Sequence, residues 1–157
     1  MLERGFTLIE LLIVIGIVGA LVSAVMIVLN PLTQIQKAND ARRKSDLEQI
    51  QRALEVFYND IGRYPSATNS KITDLSGSEV DWGDPWTPYM SKLPEDPSSP
   101  TNTYVYDSSS GEQSYRLYAS LERADDPQSC GGVCPNAGTL NCGGDCNYGV
   151  TSPNVSP

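Results

Sequence analysis

The chain has 157 residues with 11 basic and 19 acidic side chains, and its net charge is −8. This charge argues against nucleic acid as a primary partner, because binding to the phosphate backbone requires clusters of Lys and Arg. It has no histidine, the commonest general base and neutral metal ligand, and this absence argues against an enzyme. The length is typical of one modest globular core together with one membrane anchor.

A long apolar segment lies near the start of the chain. Residues 6–29 contain one carboxylate, that of Glu10, and two hydroxyl groups among otherwise apolar side chains and glycine. As a helix, these residues extend about 36 Å, which is enough to cross the ~30 Å hydrocarbon core of a bilayer. A carboxylate within a membrane span costs about 2.5–3.5 kcal/mol on insertion scales. Glu10 therefore either lies at the depth of the lipid headgroups, where it is solvated, or has a function.

The residues around this carboxylate form a specific pattern. A short polar leader, MLER at residues 1–4, precedes GFTLIE at residues 5–10 and the uninterrupted apolar run. This pattern resembles the type III signal sequence of type IV pilins and type II secretion pseudopilins, in which a prepilin peptidase cuts after the glycine and methylates the new amino terminus. The resemblance implies a cleaved leader of residues 1–5, with the cut between Gly5 and Phe6, and N-methylation of Phe6.

The same resemblance implies a partner for Glu10. In filaments of this family, the glutamate of one subunit faces the positively charged amino terminus of its neighbour, here Phe6, so two charges that are each unfavourable in lipid neutralise one another. The family's subunits reside in the inner (cytoplasmic) membrane as precursors, engage an inner-membrane assembly platform and leave as an extracellular helical homopolymer. We expect the same partners and locations for this chain.

Small residues form a stripe on the apolar helix. Gly16 and Gly19 are followed at helical spacing by Ser23. Because small residues let membrane helices approach closely, this stripe predicts a packing seam between subunits to which Gly16 and Gly19 contribute. Glycine is also common in membrane helices without such a role, and the sequence leaves both interpretations open.

The helix is predicted to continue after an interruption. Pro31 lacks a backbone donor and clashes with the preceding turn, which predicts a kink near residues 27–31. Residues 37–46, KANDARRKSD, are nearly all polar and are predicted to lie outside any core, against lipid headgroups or neighbouring subunits. An apolar stripe with alternating spacings of three and four residues follows, and Gly62 is predicted to end the helix. The stripe consists of Leu47, Ile50, Leu54, Phe57 and Ile61.

A small head is predicted to cover this stripe. Alternating side chains predict strands at residues 103–106 and 114–122, and the link DSSSG at residues 107–111 predicts that they form a hairpin. One face of the hairpin is expected to pack on the helix. The loop of residues 66–100 contains five large apolar side chains that can cap the stripe. They are Trp82, Trp86, Tyr89, Met90 and Leu93.

The tail contains an internal repeat, CGGVC at residues 130–134 and CGGDC at residues 142–146. Four cysteines beyond a membrane segment favour disulfide bonds in an oxidising compartment, with three pairings open. A tetrathiolate zinc site is the alternative. The tail has few large apolar side chains, so we expect it to form no core of its own. The cysteines are Cys130, Cys134, Cys142 and Cys146.

Calcium is the one cofactor that the resemblance raises. Major pseudopilins hold a calcium ion in a loop of the C-terminal region, and Asp125, Asp126 and Asp145 carry carboxylate oxygens of the kind that calcium binds in sets of six to eight. The calcium-binding pattern of the family does not align with this tail residue by residue. We therefore expect no resident metal or other cofactor.

Together these features predict an α+β fold of the lollipop-shaped pilin type, with a long N-terminal hydrophobic helix, a small antiparallel head and a cysteine-rich C-terminal loop. The predicted function is that of a structural major pilin in a type IV pilus-like filament. Three alternatives stay open: a major pseudopilin of a type II secretion system, a minor or tip-located adhesin, and a single-pass membrane protein that never polymerises. The predicted divisions are a leader (1–5), a filament-core helix (6–30), its amphipathic half (31–61), a globular head (62–123) and a Cys/Gly-rich tail (124–157).

Overall fold

The computed structural model describes residues 5–157, apart from the side chains of residues 27–29. The predicted leader residues Met1–Arg4 lie outside this range. The chain forms two compact units, residues 1–36 with the apolar helix and residues 37–157 with the head.

Two helices account for the first part of the chain. Helix α1 spans Leu8–Leu29, and helix α2 spans Pro31–Ile61. Between them Asn30 has left-handed backbone with φ of 39°, a conformation that asparagine tolerates better than most residues. Pro31 occupies the first position of α2, where its missing N–H costs no helical hydrogen bond. The interruption lies where the sequence predicted a kink.

Helix α2 ends where the sequence predicted. Gly62 follows the last helical residue with φ of +79°, and its N–H donates to the carbonyl of Tyr58 at 2.8 Å. A left-handed glycine at this position is a common way to end a helix. The apolar stripe faces the core except at Ile61, which is 41% exposed. The buried members of the stripe are Leu47, Ile50, Leu54 and Phe57.

The head contains a two-stranded and a three-stranded antiparallel sheet. Its strands are β1 (Ala67–Thr68), β2 (Lys71–Ile72), β3 (Val105–Ser108), β4 (Tyr115–Ala119) and β5 (Tyr148–Thr151). Strand β1 pairs with β2, and the larger sheet has the order β3-β4-β5. In this sheet Leu117 of the central strand lies opposite Tyr106 on one side and Val150 on the other.

The main core lies between α2 and the inner face of the larger sheet. The stripe residues are joined there by Trp86, Leu93, Tyr115, Leu117 and Ala119. The ring of Trp86 stacks on Phe57 with 5.6 Å between ring centroids, and Trp82, Tyr89 and Met90 pack against the same core while partly buried. The prediction that the loop of residues 66–100 caps the helix stripe is confirmed.

The tail shares a second, smaller core with the outer face of the sheet. Strand β5 belongs to the tail and pairs with β4, so the last part of the chain is built into the sheet of the head. Tyr118 and Val105 point to the other side from the main core, and both are 1% exposed or less. The tail covers them with Cys134, Ala137, Cys142 and Cys146. The tail forms no core of its own, and it buries its small side chains against the sheet.

Strand β3 is shifted and strand β4 is shorter relative to the predicted strands, and the tail makes hydrogen bonds at the affected ends. The predicted strand at residues 103–106 is observed as β3, which begins two residues later, since the N–H of Thr103 donates to the carbonyl of Cys142 (3.0 Å). Strand β4 ends at Ala119, before the predicted limit, because the N–H of Leu121 donates to the side chain of Asn147 at 2.7 Å.

One face of the polar middle of α2 is buried, and the prediction that residues 37–46 lie outside any core was wrong for that face. Asp40, Arg43 and Asp46 are 1%, 0% and 8% exposed. Their charged groups are paired with side chains that lie far away in sequence, so burial leaves few of their polar atoms unsatisfied. A polar helical segment is thus part of the interior of the head.

Candidate assembly site

The predicted cleavage bond lies in non-helical backbone. Gly5 and Phe6 precede α1, and Phe6 is 81% exposed. Exposed backbone outside regular structure is the usual substrate for proteolysis. The bond between Gly5 and Phe6 is therefore accessible in the isolated chain, and cleavage there stays a prediction.

Glu10 forms a capping box with Thr7 at the start of α1. The N–H of Glu10 donates to Thr7 Oγ1 (3.3 Å), and the N–H of Thr7 donates to Glu10 Oε2 (2.9 Å). The Thr7 hydroxyl also donates to Oε2 at 2.8 Å. This arrangement satisfies two backbone donors that a helix start leaves unpaired. Glu10 therefore has a structural role in its own helix, which the spacing Thr-x-x-Glu signals and which our sequence analysis missed.

The capping box leaves one oxygen of Glu10 without a partner. Both hydrogen bonds from Thr7 reach Oε2, and none from residues 5–157 reaches Oε1. An ionised carboxylate accepts several hydrogen bonds, and bonds from a cationic donor are the strongest. The capping box thus fixes the orientation of Glu10 without neutralising its charge. A positively charged group from a second chain is able to bind at Oε1.

The side chains of Leu8–Met26 in α1 are exposed among the residues that the structure describes. This stretch is long and apolar enough to cross a membrane. A methyl group placed at Gly16 or Gly19 meets no atom within 4 Å, so both glycines form shallow depressions on the helix. Close helix packing at these depressions is a property of membrane helices rich in small residues. Their role in assembly stays a prediction.

A buried ion-pair cluster, here called the clasp, joins α2 to the head and consists of Arg43, Asp40, Asp96 and Glu122. Arg43 Nε and Nη2 donate to the two oxygens of Asp96 at 2.8 and 3.0 Å. Its Nη1 donates to Asp40 Oδ1 and to Glu122 Oε1, both at 3.0 Å. The bidentate contact with Asp96 is the strongest geometry available to an arginine and a carboxylate. One cation thus holds three carboxylates from three parts of the chain.

The clasp also orients backbone. Asp40 accepts hydrogen bonds from the N–H groups of Glu122 and Arg123, at 2.8 and 3.1 Å, so the segment after β4 is tied to α2. Burial opposes the charge of Arg43, but the hydrogen bonds and charges of Asp96 and Glu122 outweigh it and raise the pKa of the guanidinium above its ordinary value. The three-residue spacing of Asp40 and Arg43 on one helix was the local sign of this cluster.

A second cation of α2 binds the tail. Lys44 Nζ donates to Asp126 Oδ1 at 2.6 Å and to Gln128 Oε1 at 2.9 Å, and it lies 5.6 Å from the ring centroid of Tyr148 in β5. The hydrogen bond from Lys44 lowers the pKa of Asp126 below its ordinary value, against the effect of burial. Arg43 and Lys44 thus form ion pairs with carboxylates of their own chain.

The three aspartates considered for calcium do not fit a calcium site. Asp126 is paired with Lys44, and Asp125 is paired with Arg123 at 3.0 Å. Calcium requires six to eight oxygen ligands, and two of the three carboxylates are already neutralised by cations. Within the part of the chain that the structure describes, no group of three His, Cys, Asp or Glu side chains is placed to hold a metal ion. The expectation that the subunit holds no calcium stays a prediction.

The cysteines pair within each copy of the repeat. Cys130 is bonded to Cys134, and Cys142 is bonded to Cys146. All four thiols are consumed in this way, so the structure selects disulfides over the zinc site and one pairing among the three that the sequence left open.

A matched pair of glycine substitutions tests how the tail is seated. Gly131 and Gly143 occupy the same position in the two repeats and have φ of +73° and +87°. Either substitution by Ala strains the left-handed backbone by about 1–2 kcal/mol. A methyl group at Gly131 meets open space, whereas one at Gly143 collides with the backbone of Thr101 and Asn102. Gly143→Ala is therefore expected to lower the free energy of unfolding by about 1–3 kcal/mol more than Gly131→Ala. Guanidinium unfolding of both variants measures this difference. Equal losses of unfolding free energy in the two variants would contradict the close contact of Gly143 with residues 101–102.

Two family models match the chain. One, described as type II secretion system (T2SS), protein G, matches residues 30–129, which is more than half of the chain. The other, described as the prokaryotic N-terminal methylation motif, matches residues 1–26. The first match ends immediately before Cys130, so the disulfide-bonded repeat lies outside it.

Curated relatives carry the name type II secretion system core protein G. That of Pectobacterium carotovorum subsp. carotovorum is 33% identical over 98 residues, which are 60% of this chain and 62% of the relative. That of Klebsiella pneumoniae is 33% identical over 98 residues, 60% of this chain and 69% of the relative. That of Escherichia coli (strain K12) is 36% identical over 73 residues, 46% of this chain and 48% of the relative. The chain thus spans less than two thirds of the Pectobacterium protein. No solved structure matches the chain.

The family match agrees with the architecture on both sides of Asn30. The methylation motif covers the segment with Gly5, Phe6 and Glu10, and the protein G model covers α2 and the head as far as β4. The sequence favoured a pilus subunit and kept a type II secretion pseudopilin as an alternative, and the matched family is that of the alternative. The chain belongs to the type II secretion system protein G family.

Proposed function

We propose that this chain is a structural pseudopilin subunit that polymerises with itself into the helical filament of a type II secretion system. The leader is removed after Gly5, and the mature subunit is held in the filament by residues 6–30. Its role is mechanical and not catalytic. Membership of the protein G family and the match to the methylation motif support this proposal.

The observation that carries the proposal is the set of hydrogen bonds that Glu10 makes. It is the one carboxylate of the described apolar helix, and Thr7 holds its Oε2 while no residue of the range 5–157 donates to its Oε1. The methylated amine of Phe6 in a neighbouring subunit supplies the missing positive charge. Pairing of the two charges favours the filament over the dispersed membrane form, because each charge alone is unfavourable in lipid.

The proposal places the chain among a defined set of partners. A prepilin peptidase processes it, the inner membrane holds it before assembly, and an inner-membrane platform extracts it into the filament. Nucleic acid has no part in this cycle, since the head is acidic and most of its cations are engaged in ion pairs within the chain. We propose no cofactor for the subunit.

Deletion of the chain in its native host tests the secretion role. Export of folded enzymes to the medium is expected to stop, while surface pili and surface motility continue, and the wild-type chain is expected to restore export. Loss of surface pili with normal export assigns the chain to a type IV pilus instead and contradicts the proposal.

A further inference from the structure

The two copies of the C-G-G-x-C repeat have the same local chemistry and different surroundings. In the second copy, Cys142 and Cys146 are 0% and 1% exposed. Gly143 lies directly against the backbone of residues 101–102, and a methyl group at Gly144 lies 2.7 Å from Ser120 Oγ. This disulfide is therefore sealed between the tail and the sheet.

The first copy projects from the head. Cys130 is exposed, and methyl groups placed at Gly131 and Gly132 meet no atom within 4 Å. Val133 at the end of the loop is 48% exposed, although it is apolar. Only the second sulfur of this bridge belongs to a buried residue, since Cys134 is 1% exposed. A reagent in solution can thus approach this bridge from the side of Cys130.

Exchange of a disulfide requires that a thiolate reaches one of its two sulfur atoms, so access controls the rate. We propose that Cys130–Cys134 is a thiol–disulfide exchange site on the surface of the folded subunit, and that Cys142–Cys146 is a closed structural bridge. The reacting partners are small thiols or dithiols. This inference does not rest on filament formation, because it follows from the burial of the two bridges alone.

The reaction proceeds in two balanced steps. A thiolate attacks Cys130 Sγ, a mixed disulfide forms at that atom, and the bond to Cys134 breaks so that the Cys134 thiolate leaves. The second thiol of the dithiol then attacks its own sulfur in the mixed disulfide, closes as an oxidised ring and releases the Cys130 thiolate. Two electrons pass from the dithiol to the bridge, and both cysteines take up protons from water.

The fold around the first loop is held by contacts that do not involve this bridge. The N–H of Cys130 donates to the carbonyl of Asn147 at 2.7 Å, and the N–H of Cys134 donates to the carbonyl of Cys146 at 2.9 Å. Lys44 holds Asp126 just upstream of the loop. Opening of the first bridge is therefore expected to leave the head folded, whereas opening of the second requires the tail to leave the sheet.

Timed reduction of the full chain in detergent micelles tests this assignment. The protein is treated with dithiothreitol, the thiols are trapped with N-ethylmaleimide, and the modified cysteines are mapped by mass spectrometry. Cys130 and Cys134 are expected to react at least about tenfold faster than Cys142 and Cys146, because the second bridge is reached only after local unfolding. The far-UV circular dichroism is expected to stay unchanged after the first phase.

Denaturant supplies the matched control. In guanidinium both bridges are fully accessible, and they close loops of equal size. The reduction rates of the two bridges are therefore expected to converge. Any difference that remains in guanidinium measures the intrinsic effect of Val133 or Asp145 on the reduction rate. A variant with Cys130→Ser and Cys134→Ser keeps only the second bridge and is expected to retain its slow rate in the folded state. Equal rates for the two bridges in the folded chain, or faster reduction of Cys142–Cys146, overturn the proposal.

Discussion

Replacement of Glu10 by Gln is expected to abolish filament assembly while processing between Gly5 and Phe6 continues. Glutamine preserves the capping box, because a Gln at this position still accepts a hydrogen bond from the Thr7 backbone. The substitution removes only the charge. The amine of the neighbouring subunit is then buried without a partner, which costs about 3–5 kcal/mol per interface and weakens association more than about a hundredfold.

The measurement is the amount of this chain in filaments sheared from cells that overproduce it, with the mass of the mature protein as the readout of processing. Thr7→Ala is the matched control, since it removes the hydroxyl of the capping box, at a cost of about 1 kcal/mol in helix stability, and keeps the carboxylate. This control is expected to assemble. Normal filaments from Glu10→Gln contradict charge pairing, and failure of Thr7→Ala alone assigns Glu10 to capping.

Replacement of Arg43 by Met is expected to destabilise the head by about 3–5 kcal/mol, because it leaves the buried carboxylates of Asp40 and Asp96 without a cation. Its neighbour Arg42 is the matched control. The side chain of Arg42 is 62% exposed and makes one ion pair, with Asp46 at 3.8 Å. The same substitution there is expected to change stability by less than about 1 kcal/mol.

Guanidinium unfolding of the full chain in micelles measures both effects, with tryptophan fluorescence as the signal because Trp86 lies in the main core. Asp96→Asn provides a second test of the same cluster, since it keeps the size of the side chain and removes its charge and one of the two oxygens that accept from Arg43. The clasp has no energetic role if Arg43→Met and Arg42→Met unfold at the same denaturant concentration.

The parts of the fold that the sequence predicted depend on local patterns. The spacing of Leu47, Ile50, Leu54 and Phe57 fixes one helix face, and the alternation in Tyr115, Leu117 and Ala119 fixes one strand face. Both faces meet in the core as predicted. Gly62 ends the helix with left-handed backbone, which glycine adopts without the steric cost of a Cβ atom. Such features need no knowledge of distant residues.

The parts that the sequence did not predict depend on partners far away along the chain. Arg43 is buried because Asp96 and Glu122, which lie 53 and 79 residues later, neutralise it. Strand β5 is short and lies in a Gly-rich tail, and it forms because β4 offers it a free edge. The positions of the cysteines permitted three pairings, and the seating of the second repeat on residues 101–103 was not visible in the sequence.

The candidate assembly site can be proposed from the sequence because it is a contiguous motif, and its role in assembly stays a prediction. Gly5, Phe6 and Glu10 lie within six consecutive residues, and their pattern is specific. The capping role of Glu10 is equally local, because the spacing Thr-x-x-Glu at the start of a helix is the pattern of a capping box. The two roles are compatible, since capping uses Oε2 and leaves Oε1 for a neighbour.

N-terminal sequencing and intact mass of the chain from sheared filaments test the central claim most directly. The account predicts a 152-residue protein of the original 157, beginning with N-methyl-Phe6 and abundant in the filament fraction. A protein that keeps the residues up to Gly5 and stays in the membrane fraction contradicts the account, because an unprocessed chain has no free amine at Phe6 to pair with Glu10.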